Sequence, residues 1–159
     1  MASIPIIVAR LTAGADKVPS PEQLQRLQVT SVSEVKYRRV ELRCGAYLFS
    51  EADNWYVPSR LTAEMNALLE TSEIPFGKAV QSLRPYRQTF AVALLWSPLP
   101  AGWEQQSRAI RGSRDRATGM VLPKDLFEHR AVLYTSEHQP FSEVDERYQG
   151  QLFAFVRSR

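Results

Sequence analysis

Residues 35–44, VKYRRVELRC, carry the clearest strand pattern in the chain. From residue 38 onward its even-numbered positions share one face of an extended strand and are apolar apart from one arginine: Arg38, Val40, Leu42 and Cys44. The odd-numbered positions of the same stretch are charged from residue 39 to residue 43: Arg39, Glu41 and Arg43. This alternation predicts a strand with one buried face and one solvated face. Gly45 marks a turn, and residues 47–57 predict the return strand, with a bulge near residues 52–54.

Outward from this hairpin, most of the other segments also have the pattern of strands. We expect strands at residues 4–11, 89–96, 128–135 and 143–155, and we expect residues 89–96 to be buried on nearly both faces. Helices are predicted at residues 23–28, 62–69 and 78–83, with Pro21 and Thr62 at N-terminal positions of the first two. Residues 74–77 predict a tight turn, and residues 103–119 a polar loop with some helix. Strands with few helices indicate an α+β domain built on an antiparallel sheet.

Length and composition exclude several classes of protein. The 159 residues fit a single domain spanning 1–159, and a net charge of +3 favours anionic ligands only mildly and does not predict nucleic-acid binding. Cys44 is the only cysteine and there are two histidines, so neither a disulfide nor a metal site is predicted. There is no apolar run of roughly 20 residues and no secretory signal, so we expect a cytoplasmic protein without a membrane span.

Two charged residues lie on apolar strand faces, where they need a partner. Arg38 cannot lose its proton, so it must bind an anion, either a structural carboxylate at the edge of the core or the carboxylate of a substrate. Glu146 shares its face with Val144 and Tyr148, and burial there would raise its pKa, which suits a group that takes or shares a proton. The alternative is that Glu146 simply pairs with Arg38.

The other candidates are weaker when each is taken alone. Phe76 and Gly77 stand in the turn IPFG, where Phe76 is either a core side chain or a ligand contact. Arg87 is either a surface residue or a second anion contact, and surface is favoured. The arginine-rich residues 108–116 are typical of a solvated loop. We find no nucleophile turn and no glycine-rich phosphate loop.

Taken in order, these segments resemble the chorismate–pyruvate lyase family. The resemblance runs from about residue 37 to residue 148 and rests on the order and spacing of six short motifs: 38–42 (RRVEL), 55–58 (WYVP), 74–77 (IPFG), 129–133 (HRAVL), 139–140 (QP) and 145–148 (DERY). It implies an antiparallel sheet of about six strands with helices packed on it and a product pocket shielded from solvent. It also implies conversion of chorismate to 4-hydroxybenzoate and pyruvate for quinone biosynthesis, by a monomer without metal or organic cofactor.

The resemblance also assigns roles to residues of this chain. Arg38 would hold the ring carboxylate, the main chain at Phe76 and Gly77 would help to fix that group, and Glu146 would face the 4-hydroxyl end. Arg38 and Glu146 are thus the expected catalytic residues. If this chain is aligned with the family at Cys44, Arg39 takes the place of Arg38 as the residue that holds the carboxylate. We prefer Arg38 because its face of the strand is apolar.

One departure from the family leaves a second function open. The family places a helix and a strand ahead of the strand matched to residues 4–11, and this chain has no room for them. The alternative to a lyase is therefore a non-catalytic, sensor-like domain of the same fold that binds a small aromatic carboxylate.

Overall fold

The computed structural model describes residues 6–14, 16–99, 102 and 122–157, and within them a single antiparallel sheet. Its six strands are β1 (Ile7–Leu11), β2 (Lys36–Cys44), β3 (Tyr47–Tyr56), β4 (Tyr86–Leu94), β5 (Asp125–Tyr134) and β6 (Pro140–Gln149). Their order across the sheet is β1-β2-β3-β6-β5-β4. The predicted α+β class with an antiparallel sheet of six strands is confirmed.

Three short helices accompany the sheet: α1 (Pro21–Leu27), α2 (Ala63–Thr71) and α3 (Phe76–Ala79). Ser20 caps α1 in a reciprocal arrangement with Gln23, and the Thr62 side chain accepts a hydrogen bond from the amide of Met65. Single 3-10 turns lie at Val32–Glu34, Pro58–Arg60 and Gln81–Leu83, and a longer one at Gly150–Arg157. Thr62 is thus the N-cap that the sequence predicted.

The two faces of the sheet carry different helices. Helices α2 and α3 cover the face that bears Arg38 and Val40, which we call the inner face, and form the main core there: Tyr56, Leu61, Met65, Leu69, Phe76, Ala79, Val80 and Phe141. The opposite, outer face is covered at one end by α1, where Leu27 and Val29 pack on Trp55 and Val57. The strand alternation predicted for β2 is confirmed, since Arg38, Val40 and Cys44 are buried.

Several predicted local features are wrong. The bulge lies at Phe49, because Leu42 pairs with Ser50 and Arg43 with Leu48, and not at residues 52–54. The last strand ends at Gln149 and continues as a 3-10 turn. Residues 74–77 do not form a simple turn, because Phe76 begins α3. The loop predicted at residues 103–119 lies outside the described residues.

The largest error concerns β4, which was expected to be buried on nearly both faces. It begins at Tyr86, three residues earlier than predicted, and forms an outer edge of the sheet. Leu94 is 77% exposed and Val92 is exposed as well. A continuous apolar run cannot by itself distinguish a central strand from an edge strand, because strand order is set by pairing across the whole chain.

The half of the outer face that α1 does not cover carries a network of charges. Glu128 accepts hydrogen bonds from Arg130 Nε at 3.0 Å and from Arg147 Nη2 at 2.8 Å, and these lower the pKa of Glu128. Burial raises the pKa of the neighbouring Asp145, and the nearby carboxylates Glu128 and Asp53 raise it further. The attraction of Arg130, whose Nε lies 3.4 Å from Asp145 Oδ2, does not offset this.

These two carboxylates predict opposite pH dependences of stability. A raised folded-state pKa means that Asp145 penalises folding at neutral pH, and the penalty disappears as pH falls toward the unfolded value near 3.9. Glu128 contributes stability above its unfolded value near 4.3, and that contribution is lost as pH falls through its lowered folded-state pKa. We therefore expect Asp145→Asn to raise the urea midpoint at pH 7 but not at pH 4, and Glu128→Gln to lower it at pH 7. Equal effects of Asp145→Asn at both pH values would contradict this account.

No helix among the described residues is long and apolar enough to cross a membrane.

Candidate functional site

A cavity of about 430 Å³ lies on the inner face, between the sheet and the start of α3. Its walls are largely apolar, with side chains from five of the strands and from α3 and its flanks, and they include Val40, Leu42, Ala52, Pro75, Phe76, Gly77, Pro85, Leu133 and Val144. Its polar groups are Asn54, Tyr86, Arg87, Glu146 and Tyr148. An apolar cavity with a few convergent polar groups is the usual form of a small-molecule site.

Glu146 is buried in the floor of this cavity, at 7% exposure, and its carboxylate accepts three hydrogen bonds. Ser50 Oγ donates to Oε1 at 2.7 Å, Tyr148 Oη to Oε2 at 3.0 Å, and Arg87 Nη1 to Oε2 at 3.3 Å. The ion pair of Glu146 is therefore with Arg87, and the pairing with Arg38 that was the alternative does not form. Burial and the Glu146 carboxylate together raise the pKa of Tyr148, so its hydroxyl stays protonated and can donate a hydrogen bond.

Arg38 is buried at 5% exposure without a carboxylate partner among the described residues. Its Nη2 donates to the carbonyl of Ile74 at 3.0 Å, while Nε and Nη1 are buried and have no hydrogen-bond partner there. Burial lowers the pKa of Arg38, but a guanidinium still stays protonated in a protein. Arg38 is thus a buried cation with two unsatisfied nitrogens.

The position of Arg38 relative to the cavity follows from the strand register. Its cross-strand partner Asn54 and its same-face neighbour Val40 both line the cavity. Arg38 itself lines a second space of about 640 Å³, which we call the groove, beside the end of β2 that β1 does not cover. The structure therefore brings Phe76, Gly77 and Glu146 around the cavity and places Arg38 at its margin.

Arg39, the other candidate for the anion contact, points away from the cavity. It lies on the outer face, where its Nε is 3.9 Å from Asp53 Oδ1. Lys17 and the Tyr37 hydroxyl also bind the Asp53 carboxylate. Arg39 is therefore part of the charge network of the outer face.

Phe76 and Gly77 contribute to the cavity in different ways. The Phe76 ring belongs to the core, stacked on Phe141 at 6.3 Å between ring centroids and edge-on to Tyr56 at 5.8 Å, and it also lines the cavity. A Cβ added at Gly77 would meet no atom within 4 Å, so this position leaves space. As the first two residues of α3, both have amides without an acceptor inside the helix.

Sequence reasoning missed several polar groups of the site. Arg87 was favoured as a surface residue, and its side chain is indeed 37% exposed, yet from the edge strand it reaches past β5 to Glu146. Ser50 and Asn54 were not recognised, although both share the inward face of β3 with the apolar Ala52. The period-two alternation carried that signal, because a polar residue on an apolar face needs a partner.

No family model matches the chain. The uncharacterized protein y4mC of Sinorhizobium fredii is 43% identical over 149 residues, which are 94% of this chain and 62% of y4mC, so the chain spans less than two thirds of that relative.

Several solved structures that resemble the chain come from transcriptional regulators. The effector domain of PhnF from Mycobacterium smegmatis matches with a TM-score of 0.56 and 16% identity, over 91% of this chain and 82% of that domain. A GntR-family transcriptional regulator from Enterococcus faecalis matches with a TM-score of 0.52 and 14% identity, over 89% and 93%. The chain therefore has the chorismate lyase-like fold, in the form found in effector domains of GntR-family regulators.

Proposed function

We propose that this chain is a non-catalytic binding domain for a small organic carboxylate, which it holds in the cavity with the carboxylate directed at Arg38. The observation that carries this proposal is the pair of unsatisfied buried nitrogens on Arg38. A buried polar group without a partner costs about 1–3 kcal/mol, more for a charged group. An anionic ligand would supply the missing acceptors through charge-assisted hydrogen bonds.

The cavity favours a ligand with one flat apolar body. Its volume of about 430 Å³ suits a single substituted ring, and Val40, Phe76 and Val144 would contact the faces of that ring. At the other end, Glu146 and Tyr148 can bind a hydroxyl group. These features support a hydroxylated aromatic carboxylate, for which 4-hydroxybenzoate is a suitable probe.

The surroundings of Glu146 favour binding over catalysis. Three donors already hold its carboxylate, one of them the Arg87 guanidinium, so a proton transfer to Glu146 would have to break this network. The fold relatives, whose solved structures are regulator effector domains, support the same choice.

A chorismate–pyruvate lyase is the second candidate, and the location of Glu146 in the cavity favours it. The reaction removes the proton at C4 of chorismate and expels the enolpyruvyl oxygen from C3, so that aromatisation drives the step. It requires mainly that the substrate be oriented and that one proton transfer be assisted. Arg38 and Glu146 would supply these two roles.

Calorimetric titration and a product assay on the same protein distinguish the two functions. We expect 4-hydroxybenzoate to bind the intact chain and raise its melting temperature, and we expect no 4-hydroxybenzoate to form from chorismate above the uncatalysed rate. Product formed by the intact chain, with turnover reduced far more than affinity in Glu146→Gln, would establish the lyase instead. Absence of both binding and turnover would contradict both functions.

A further inference from the structure

Tyr56 lies on the inner face next to Arg38 and has a hydroxyl that nothing in the described part of the chain binds. Tyr56 is the last residue of β3. It lies two positions after Asn54, and Asn54 is the cross-strand partner of Arg38. Tyr56 and Arg38 are therefore diagonal neighbours on one face, a spacing that long side chains bridge. Both residues line the groove.

The Tyr56 ring is locked in place although its hydroxyl is free. The residue is 2% exposed, packs in the main core, and meets Phe76 edge-on at 5.8 Å. Its hydroxyl makes no hydrogen bond with any described residue. Unlike Nε and Nη1 of Arg38, the hydroxyl oxygen of Tyr56 is not enclosed by protein; it is open to the groove that Tyr56 lines, where an anion can accept its hydrogen bond.

The charged groups around Tyr56 show which kind of acceptor fits. Arg38, Lys36 and Glu70 all act on its phenol electrostatically, and burial raises the pKa of Tyr56, so that it remains a donor at neutral pH. Lys36 and Glu70 pair with each other at the rim of the groove and largely cancel. The uncompensated charge beside the Tyr56 hydroxyl is then the Arg38 guanidinium. This part of the groove therefore attracts an anion.

We propose that Tyr56 is a second anion-binding residue of this site, and that its hydroxyl and the free nitrogens of Arg38 hold the same carboxylate of the ligand. The inference rests on the proposed binding function and makes it more specific. The ligand must bear its carboxylate at the end that meets the groove, because both donors lie there. A neutral carboxamide of the same shape gains little from the Arg38 charge, so the site selects acids over their amides.

Tyr56→Phe tests this inference, because phenylalanine keeps the ring in the core and removes only the hydroxyl. In calorimetric titrations of the whole chain we expect Tyr56→Phe to bind 4-hydroxybenzoate about tenfold more weakly than the native protein, as expected for one charge-assisted hydrogen bond. Its melting temperature should be equal or higher, since the lost hydroxyl had no protein partner. The neutral probe 4-hydroxybenzamide should bind both proteins weakly and to the same extent.

Tyr134→Phe is the matched control, because Tyr134 lines neither the cavity nor the groove. It should bind 4-hydroxybenzoate as the native protein does. Native affinity in Tyr56→Phe, together with loss of binding in Arg38→Met, would overturn the role of Tyr56 and leave the binding function standing. No binding by the native chain would overturn both.

A second measurement does not depend on a variant that folds. In protein labelled with ¹³C at the ζ carbon of tyrosine, the Tyr56 resonance should shift when the chain is saturated with 4-hydroxybenzoate, because its hydroxyl gains an acceptor. A Tyr56 resonance that stays in place at saturation would equally overturn the proposal.

Discussion

Replacing Arg38 with methionine should make the ligand-free chain more stable and should abolish carboxylate binding. Methionine fills a similar elongated space without a charge, so the variant no longer buries the two unsatisfied nitrogens. It also loses the hydrogen bond to the Ile74 carbonyl, which offsets part of the gain. We expect the free energy of unfolding to rise by about 1–2 kcal/mol, measured by urea denaturation.

The loss of affinity should be large, because Arg38 is the only buried cation in the described part of the chain and has no carboxylate partner there. Removing one partner of a buried charge pair commonly weakens binding by about 2–5 kcal/mol, which is roughly thirtyfold or more. Binding of 4-hydroxybenzoate to Arg38→Met should thus fall below detection by calorimetry. The Arg38→Met variant would thus be more stable than the native protein but would no longer bind the ligand.

Arg39→Met provides the matched control on the same strand. Arg39 lies on the outer face near Asp53 and also lines the groove, so its loss should weaken binding far less than the loss of Arg38 and should alter stability by less than about 1 kcal/mol. If Arg38→Met instead lowered stability by more than about 1 kcal/mol, Arg38 would have a structural partner and the anion site would be refuted. Loss of binding in Arg39→Met alone would restore Arg39 as the anion contact.

Replacing Arg26 with methionine should produce the largest loss of stability. Arg26 on α1 binds the buried Glu143 of β6 through two parallel hydrogen bonds, Nε to Oε2 and Nη2 to Oε1, each of 2.8 Å. Its guanidinium also lies 4.4 Å from the centroid of the Phe90 ring on the edge strand β4. Without Arg26, Glu143 becomes a buried carboxylate with no cation, which commonly costs about 3 kcal/mol or more.

Because Arg26 itself is one-third exposed, with 35% of its side chain accessible, water can partly solvate Glu143 in the variant. We therefore expect a loss of about 2–3 kcal/mol in the free energy of unfolding. Glu143→Leu added to Arg26→Met should recover much of this loss, because the uncompensated charge disappears. Arg43→Met is the control: 25% of the side chain of its partner Glu41 is accessible, against 5% for Glu143, and we expect a loss of less than about 1 kcal/mol there. Equal losses in Arg26→Met and Arg43→Met would contradict the burial argument.

Much of the inner face could be predicted from the sequence, because the alternation of apolar and polar residues is visible within each strand separately. The burial of Arg38 with Val40, and of Glu146 with Val144, follows from period two alone and needs no knowledge of which strands are neighbours. The start of α2 at Thr62 is equally local, since one side chain caps one amide.

The partners of these residues could not be predicted in the same way. The pair formed by Arg87 and Glu146 depends on the order β6-β5-β4, which places two residues 59 positions apart on one cavity wall. The exposure of β4 follows from the same order, because an apolar run looks alike whether a strand ends up central or at the edge.

The antiparallel α+β fold and the burial of an arginine and a glutamate on its inner face could be predicted from local sequence pattern, because the face and the period of a strand are local properties. The three-dimensional structure was needed to show that Glu146 is held by Ser50, Tyr148 and Arg87, while two nitrogens of Arg38 have no partner among the described residues. The physical reason is that hydrogen-bond partners are assigned by the pairing of distant strands. For this chain, that assignment favours binding of a carboxylate over catalysis on it.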